Sequence, residues 1–243
     1  MRFKITCEIT EGDRFPQDYR RKILMILKTG LREYENVFEN FFGTNAKKKY
    51  TWSVYFPNSS FTKDEIILNG EEKKFIINFS VLENSDSINI YNAFTHIRFK
   101  ELKINDMTKV RITNITVVPT EQTVGNSLIA KTMSPIVCRD HNQETSKDTY
   151  YTGNDEKFTE IIKRNLYFQM EEEYGEYIKK DIEELVIGTK GLKKIVVKFY
   201  GKTIDTSVGI ILLEGKKYLL DYIYNAGFGS ITGSGFGLLE KIN

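Results

Sequence analysis

The sequence predicts an α+β protein made of two tandem ferredoxin-like (RRM-like, βαββαβ) domains side by side, and three observations predict it. Apolar residues recur at period two in some segments and at every third or fourth position in others, which separates strands from helices. Taken in order, the segments of the first half run strand, helix, strand, strand, helix, strand, the ferredoxin-like order. The second half repeats that order, although not the residues themselves. A chain of 243 residues accommodates two domains of common size, and 40% apolar residues with only four prolines supply a core and argue against disorder.

The first strand is set by Phe3, Ile5, Cys7 and Ile9, alternating on one face. After Gly12 and Pro16, the residues Tyr19, Ile23, Leu27, Leu31, Tyr34, Phe38 and Phe41 make one apolar stripe on a helix or a broken helix pair. Gly30 weakens its middle and Gly43 is a plausible stop. Residues 51–56 and 75–81 read as strands joined by a polar connection over 58–73. A short helix follows over 88–99, and 107–118 returns to strand.

In the second half, 128–139 reads as a strand, and 156–173 as a helix with Phe158, Ile161, Ile162, Leu166 and Met170 facing inward. Residues 193–200 and 204–213 read as strands, 216–225 as a short helix, and 235–242 as the closing strand. The joint falls near Pro119 to Asn126, giving an N-terminal domain over 1–122 and a C-terminal domain over 123–243. A sheet with helices on one face leaves its other face free, and two such faces side by side leave a cleft able to hold an RNA strand by stacking and phosphate contacts.

The formal net charge is only +2, from 35 basic and 33 acidic residues, so any basic surface is local and the global signature of a nucleic-acid coat protein is absent. Cys7 and Cys138 are the only cysteines; both sit in apolar strand-like runs and read as buried free thiols in a reducing compartment. The opening Met1-Arg2-Phe3-Lys4 starts a strand pattern at once, without an apolar signal segment. No run approaches the roughly 20 apolar residues that span a bilayer. The expectation is a soluble cytoplasmic protein with no membrane partner.

Near the end stands Ala226-Gly-Phe-Gly-Ser-Ile-Thr-Gly-Ser-Gly-Phe-Gly-Leu-Leu-Glu240, in which Gly227, Gly229, Gly233, Gly235 and Gly237 fall within eleven positions. It follows a predicted helix and precedes a strand, opposite to the strand, glycines, helix order of a nucleotide loop, and it lacks the lysine of a P-loop. The bland account is a turn in which glycines supply positive φ. The alternation with Phe228 and Phe236 suggests instead a backbone pinned by aromatic anchors, whose N–H groups can form an anion nest. This pattern resembles the glycine-rich loop of the CRISPR-associated repeat endoribonucleases of the RAMP superfamily. The strand Met1 to Lys4, Thr51-Trp-Ser-Val-Tyr-Phe56, Met133-Ser-Pro-Ile-Val137 and Tyr222 to Gly227 agree with the resemblance in order and spacing, over essentially the whole chain.

The resemblance implies two ferredoxin-like domains and a metal-independent, cofactor-free cut of precursor CRISPR RNA within each repeat. The 2′-hydroxyl attacks the adjacent phosphorus and leaves a 2′,3′-cyclic phosphate and a 5′-hydroxyl. That reaction needs a base, an acid and a cation or donor for the growing charge. Many relatives place a histidine near the end of the first helix, where this chain has Phe42 or a neighbour. Of the two histidines, His96 reads as a surface or packing residue, whereas His141, just past a predicted strand, is a candidate base or acid and equally a turn residue beside Asp140 and Asn142. Lys48 matches a lysine that accompanies the histidine in some relatives, and Lys28 with Tyr34 lies where relatives carry an active-site tyrosine.

Candidates for gripping RNA are Arg139, Lys47, Lys49, Lys190, Lys193 and Lys194, together with the five glycines; the lysine runs read equally well as solvated loops. Trp52, Tyr55, Tyr150 and Tyr151 offer stacking surfaces, though alternating aromatics in strands are more often core. The expected partner is CRISPR repeat RNA. The alternative is a member of the same family that binds the repeat without cutting it, within a CRISPR effector complex. A homodimer through the free sheet faces is compatible with either.

Overall fold

The structure, a computed structural model, describes residues 1–43, 48–119 and 125–242. Lys47 and the expected boundary at 122/123 lie outside the described residues. The chain divides into two compact units: Met1–Lys48 with Trp52–Thr120 and Lys198–Lys202, and Lys49–Thr51 with Glu121–Val197 and Thr203–Asn243.

The first unit runs β1 (Arg2–Glu11), β2 (Arg14–Pro16), α1 (Arg20–Leu31), α2 (Glu35–Phe42), β3 (Tyr50–Tyr55), β4 (Ser59–Phe61), β5 (Glu65–Leu68), β6 (Lys74–Val81), α3 (Asn84–His96), β7 (Glu101–Lys103) and β8 (Lys109–Val118). Its main sheet has the order β3-β6-β1-β8-β7. β1 is central: Ile5 lies opposite Ile77 of β6 and Ile115 of β8, both antiparallel. The period-two face Phe3, Ile5, Cys7 and Ile9 is buried as expected. α3 closes on that face through Phe94 against Phe79 of β6, with ring centroids 5.7 Å apart.

The apolar stripe over 19–41 resolves into a broken pair. α1 ends in a turn in which the Tyr34 N–H reaches the Leu31 carbonyl at 2.9 Å, and α2 restarts one residue later. Gly43 stops α2, its N–H donating to the Glu39 carbonyl at 2.7 Å. Gly30 has a packing reason: a Cβ there would stand 2.2 Å from the Ala93 carbonyl oxygen of α3. Alanine would gain roughly 1 kcal/mol of helix propensity, but the helices must part to admit it, an overpacking that costs about 1–3 kcal/mol. Gly30→Ala is therefore expected to lower the thermal midpoint, which a melting curve checks; an unchanged or raised midpoint would show that α1 and α3 separate freely.

Three expectations for this unit need correcting. The connection over 58–73 is not a plain polar link: it holds β4 and β5, which join β2 in a three-stranded sheet of order β2-β5-β4. Strands of three or four residues leave too little alternation to be read. The helix expected over 88–99 spans Asn84–His96, because Ser87 hydrogen-bonds through both its N–H and its hydroxyl to the Glu83 carbonyl and fixes an earlier start. Trp52 has no exposed surface and belongs to the core rather than to a stacking platform.

The second unit runs β9 (Ser127–Thr132), β10 (Cys138–Asn142), β11 (Lys147–Tyr151), α4 (Phe158–Tyr174), α5 (Ile178–Glu184), β12 (Val186–Gly188), β13 (Leu192–Phe199), β14 (Lys202–Glu214), α6 (Lys217–Ala226), a 3₁₀ turn (Thr232–Ser234) and β15 (Leu239–Lys241). β9 is flanked by β14 and β15, while β12 and β13 each pair with β14. The inward face of α4 is the expected one.

The strand expected over 128–139 is broken. β9 ends at Thr132, and Cys138–Asn142 pairs separately with β11. Pro135 has no N–H for a ladder, and the carbonyls of Pro135 and Val137 accept instead from Gly237 (2.8 Å) and Ser230 (2.7 Å) of the glycine-rich segment. The closing strand is likewise shorter than the expected 235–242, because Gly235 to Leu238 belong to that same block. Both cysteines are buried and free. Burial pushes the Cys7 thiol far up and the Cys138 thiol up to about 12, so neither is a thiolate nucleophile near neutrality. Among the described residues, no helix is long and apolar enough to cross a membrane.

Candidate functional site

The glycine-rich segment is held by its own chain. The Gly227 N–H caps α6 on the Ile223 carbonyl at 3.0 Å, and Phe228 N–H donates to the Gly237 carbonyl at 2.9 Å. Phe228 and Phe236 are 2% and 0% exposed, so the expected aromatic anchors are in place. Gly227, Gly229, Gly235 and Gly237 all have positive φ, whereas Gly233 lies within the 3₁₀ turn. Ile231 is also left-handed, at φ +52°, an uncommon state for a β-branched residue. Several of the amides that an anion nest would offer are thus already donating to carbonyls.

Beside this block, the second unit carries an open cavity of about 430 Å³ between the β10–β11 hairpin, α4 and the glycine-rich segment. Asn165 of α4 ties the three together: its side-chain amide donates to the Arg139 carbonyl (2.8 Å) and to the Ser230 hydroxyl (3.1 Å). One turn later the Gln169 amide donates to the Gly229 carbonyl at 3.1 Å. His141 is inside β10, not past its end as expected, and its Nδ1 lies 2.8 Å from Asp148 Oδ1 of β11.

Asp148 gathers several partners. Arg139 lies 3.7 Å from its other oxygen and the Tyr150 hydroxyl 3.4 Å away. Burial raises its pKa, but the His141 hydrogen bond and the Arg139 charge outweigh that and leave it below the usual carboxylate range. Arg164 of α4 is paired with Asp140 at 2.8 Å. The two guanidinium groups therefore face two carboxylates, and the cavity is close to neutral before His141 is counted. Chemically it offers a carboxylate-oriented imidazole, two guanidinium groups and amides.

In the first unit, Lys28 of α1 lies over the Phe42 ring, 4.8 Å from its centroid. Lys48 donates to the Phe41 carbonyl at the end of α2. Burial, and after it the Lys28 charge, lower the Lys48 pKa below the ordinary lysine value. The structure thus brings Lys28, Lys48 and Phe42 into one cluster. Tyr34 meets His96 edge-on at 6.4 Å, and His96 lies 3.1 Å from Glu33.

The remaining predicted contacts are spread out. Lys49, grouped with the second unit, is paired with Glu173 at 2.6 Å. Lys190 sits in the turn between β12 and β13, Lys193 is exposed on β13, and Lys194 is paired with Asp205 at 2.7 Å. Arg164, Asn165, Phe168 and Gln169 were not singled out by the sequence pattern. They occupy the polar side of an amphipathic helix, where such residues read as solvated, and only the i, i+4 spacing of Arg164 with Phe168 and Asn165 with Gln169 marks them as shared faces.

Residues 118–241 match the family model described as CRISPR associated protein Cas6, C-terminal. Among solved structures, the chain is similar to one from the characterization of a Cas6-related gene from Pyrococcus furiosus, at 19% identity and a TM-score of 0.83 over 100% of this chain and 98% of that one. It is similar to a RAMP protein binding different RNA substrates at 20% identity and a TM-score of 0.83, with both chains covered in full. A Cas6 product complex is similar at 12% identity and a TM-score of 0.72, again over both whole chains. No curated protein matches. At these identities the likeness is one of fold, and it agrees with the ferredoxin-like order found in each unit.

Proposed function

The chain belongs to the Cas6 family of CRISPR-associated proteins, and from that premise we propose that it binds CRISPR repeat RNA and cuts the precursor within each repeat. The observation that carries the cutting is the lysine pair beside Phe42. Where the resemblance places a histidine this chain has Phe42 or a neighbour; Lys28 lies over the Phe42 ring, and Lys48, hydrogen-bonded to the adjacent Phe41 carbonyl, has a pKa lowered by burial and by Lys28. A desolvated lysine with a charged neighbour serves as a base nearer neutrality than an ordinary one.

In this reading Lys48 Nζ takes the proton of the 2′-hydroxyl, O2′ bonds to phosphorus, and the P–O5′ bond breaks. Lys28 faces the charge that builds on the nonbridging oxygens. The departing 5′-oxygen receives its proton from Tyr34. Products are a 2′,3′-cyclic phosphate and a 5′-hydroxyl. Lys47, Lys49, Lys190, Lys193 and Lys194 grip phosphates, a contribution that weakens with salt and carries little base preference; Arg139, opposed by Asp148, adds little to that grip. The glycine-rich segment supplies a fixed backbone surface beside the RNA.

A second reading, a repeat-binding protein that does not cut, is favoured by Phe42 itself, which has no proton to exchange. Incubation with the protein's own repeat RNA in EDTA separates the two. A discrete cut with a cyclic phosphate end is expected; a tight mobility shift with no product would establish the binder instead. If His141→Ala loses more rate than Lys48→Met, the Asp148–His141 pair takes the base role.

A further inference from the structure

We propose that the cavity between the β10–β11 hairpin and α4 is a nucleotide-reading subsite: it takes one unstacked RNA base on Phe168, with the edge of that base read by polar side chains of the rim. The inference rests on the RNA-binding reading above and names a place where one base is both held and read.

Three observations carry it. The first is size and openness: about 430 Å³ lies within the roughly 300–1,000 Å³ of small-ligand sites and suits one base with its sugar, not a duplex. The second is Phe168, which lines the cavity with 53% of its surface exposed although α4 has an apolar face free of it. An exposed aromatic lining a cavity of mixed polar and apolar surface matches the way single-stranded RNA is held, by stacking on a side-chain ring.

The third is charge. Arg139 and Arg164 would make a phosphate clamp if they were unopposed, but Asp148 and Asp140 lie 3.7 and 2.8 Å from them. A near-neutral cavity attracts phosphate weakly. The groups it has left are readers: His141 through Nε2, Gln143 on the hairpin turn, and Gln169, whose NH₂ is fixed on the Gly229 carbonyl so that its side-chain oxygen has a set direction. Hydrogen-bonding groups held by other bonds discriminate bases well, because a wrong base leaves them unpaired. Gln169 and Asn165 also lock the cavity wall to the glycine-rich segment, so the rim is preformed rather than assembled on binding.

The test uses the full chain and two arms. In the first, short random-sequence RNA is cross-linked by ultraviolet light and the adduct is mapped by mass spectrometry; label is expected within 165–179, the segment holding Phe168. Label confined elsewhere, or no label, overturns the proposal whether or not the repeat is the substrate. In the second, the protein's own repeat RNA is made with one abasic nucleotide at each position in turn. One position is expected to weaken binding by about tenfold, the size of a single base–aromatic stack. In Phe168→Ala the intact repeat should bind about tenfold more weakly and that position should lose its effect, with the salt dependence unchanged. If Phe168→Ala keeps the wild-type abasic profile, the subsite is wrong while repeat binding stands. If the wild type binds no repeat, the proposed function fails and the cross-linking arm alone decides the cavity.

Discussion

Replacing Lys48 by methionine is expected to slow single-turnover cleavage of the repeat by about 10²–10⁴-fold, the range removed with a general base, while repeat affinity falls by less than about tenfold, the loss of one phosphate contact at most. Methionine keeps the length of the side chain and its burial, so the fold is retained and a melting curve should confirm it. The asymmetry between rate and affinity is the diagnostic quantity. A lysine that only held phosphate would weaken binding and leave the rate at saturating protein nearly unchanged.

The pH profile sharpens the same prediction. The active form of Lys48 is the neutral amine, so the rate rises with pH through the lowered pKa, and it falls again only where the acid that protonates the 5′-oxygen loses its own proton. Its charged neighbour Lys28 contributes to that lowering, after burial. In Lys28→Met the like charge is gone, the Lys48 pKa returns toward the ordinary value of 10.5, and the rising limb moves to higher pH. At neutral pH the rate drops about tenfold for each pH unit the limb moves, and alkaline pH restores that part of the loss. A lower plateau measures separately what Lys28 does for the transition state. A limb that does not move in Lys28→Met would sink Lys48 as the base. Stability has a definite sign as well: the unfolded chain holds the Lys48 proton more tightly, so between the lowered pKa and 10.5 folding becomes more favourable as pH rises.

The double ferredoxin-like order was legible because each main strand and helix buries one face, and burial writes its period into the residues: β1, α1 and α4 are instances. The elements that escaped are those whose reason lies elsewhere in the chain. β5 exists because β2 and β4 pair with its two edges, and β4 because β5 is there to pair with it. The interruption of 128–139 exists because the glycine-rich block takes the carbonyls of Pro135 and Val137. The site divided in the same way. Lys28, Lys48 and Phe42, singled out only through the family resemblance, form one cluster, and His141 came forward for its chemistry. Its partner Asp148, and the α4 residues Arg164, Phe168 and Gln169, did not, because nothing in a polar helix face says what it will be set against.

Gly237→Ala is expected to be the most destabilising single exchange in the glycine-rich segment. The residue sits at φ +72°, and an added Cβ would stand 2.1 Å from the Phe228 carbonyl oxygen and 2.9 Å from both the carbon and nitrogen of that residue. The left-handed backbone alone costs alanine about 1–2 kcal/mol. All three obstacles are backbone, so relief requires separating 228 from 237. That breaks the Phe228 N–H bond to the Gly237 carbonyl and strains the Gly237 N–H bond to Pro135, each leaving buried groups at about 1–3 kcal/mol. The total is about 4 kcal/mol or more, which places the change among the rare severe ones, and a fall of about 10 °C or more in the melting midpoint follows. Gly201→Ala is the matched control: φ is +75° there, but nothing lies within 4 Å of the added atom, so only the conformational cost of about 1–2 kcal/mol remains. If the two variants melt together and Gly237→Ala instead loses RNA affinity, the glycine is there for close approach of the ligand. If Gly237→Ala melts far below the control, the segment's glycines serve the packing of Phe228 and Phe236, and RNA contact at this block belongs to the surface they hold in place.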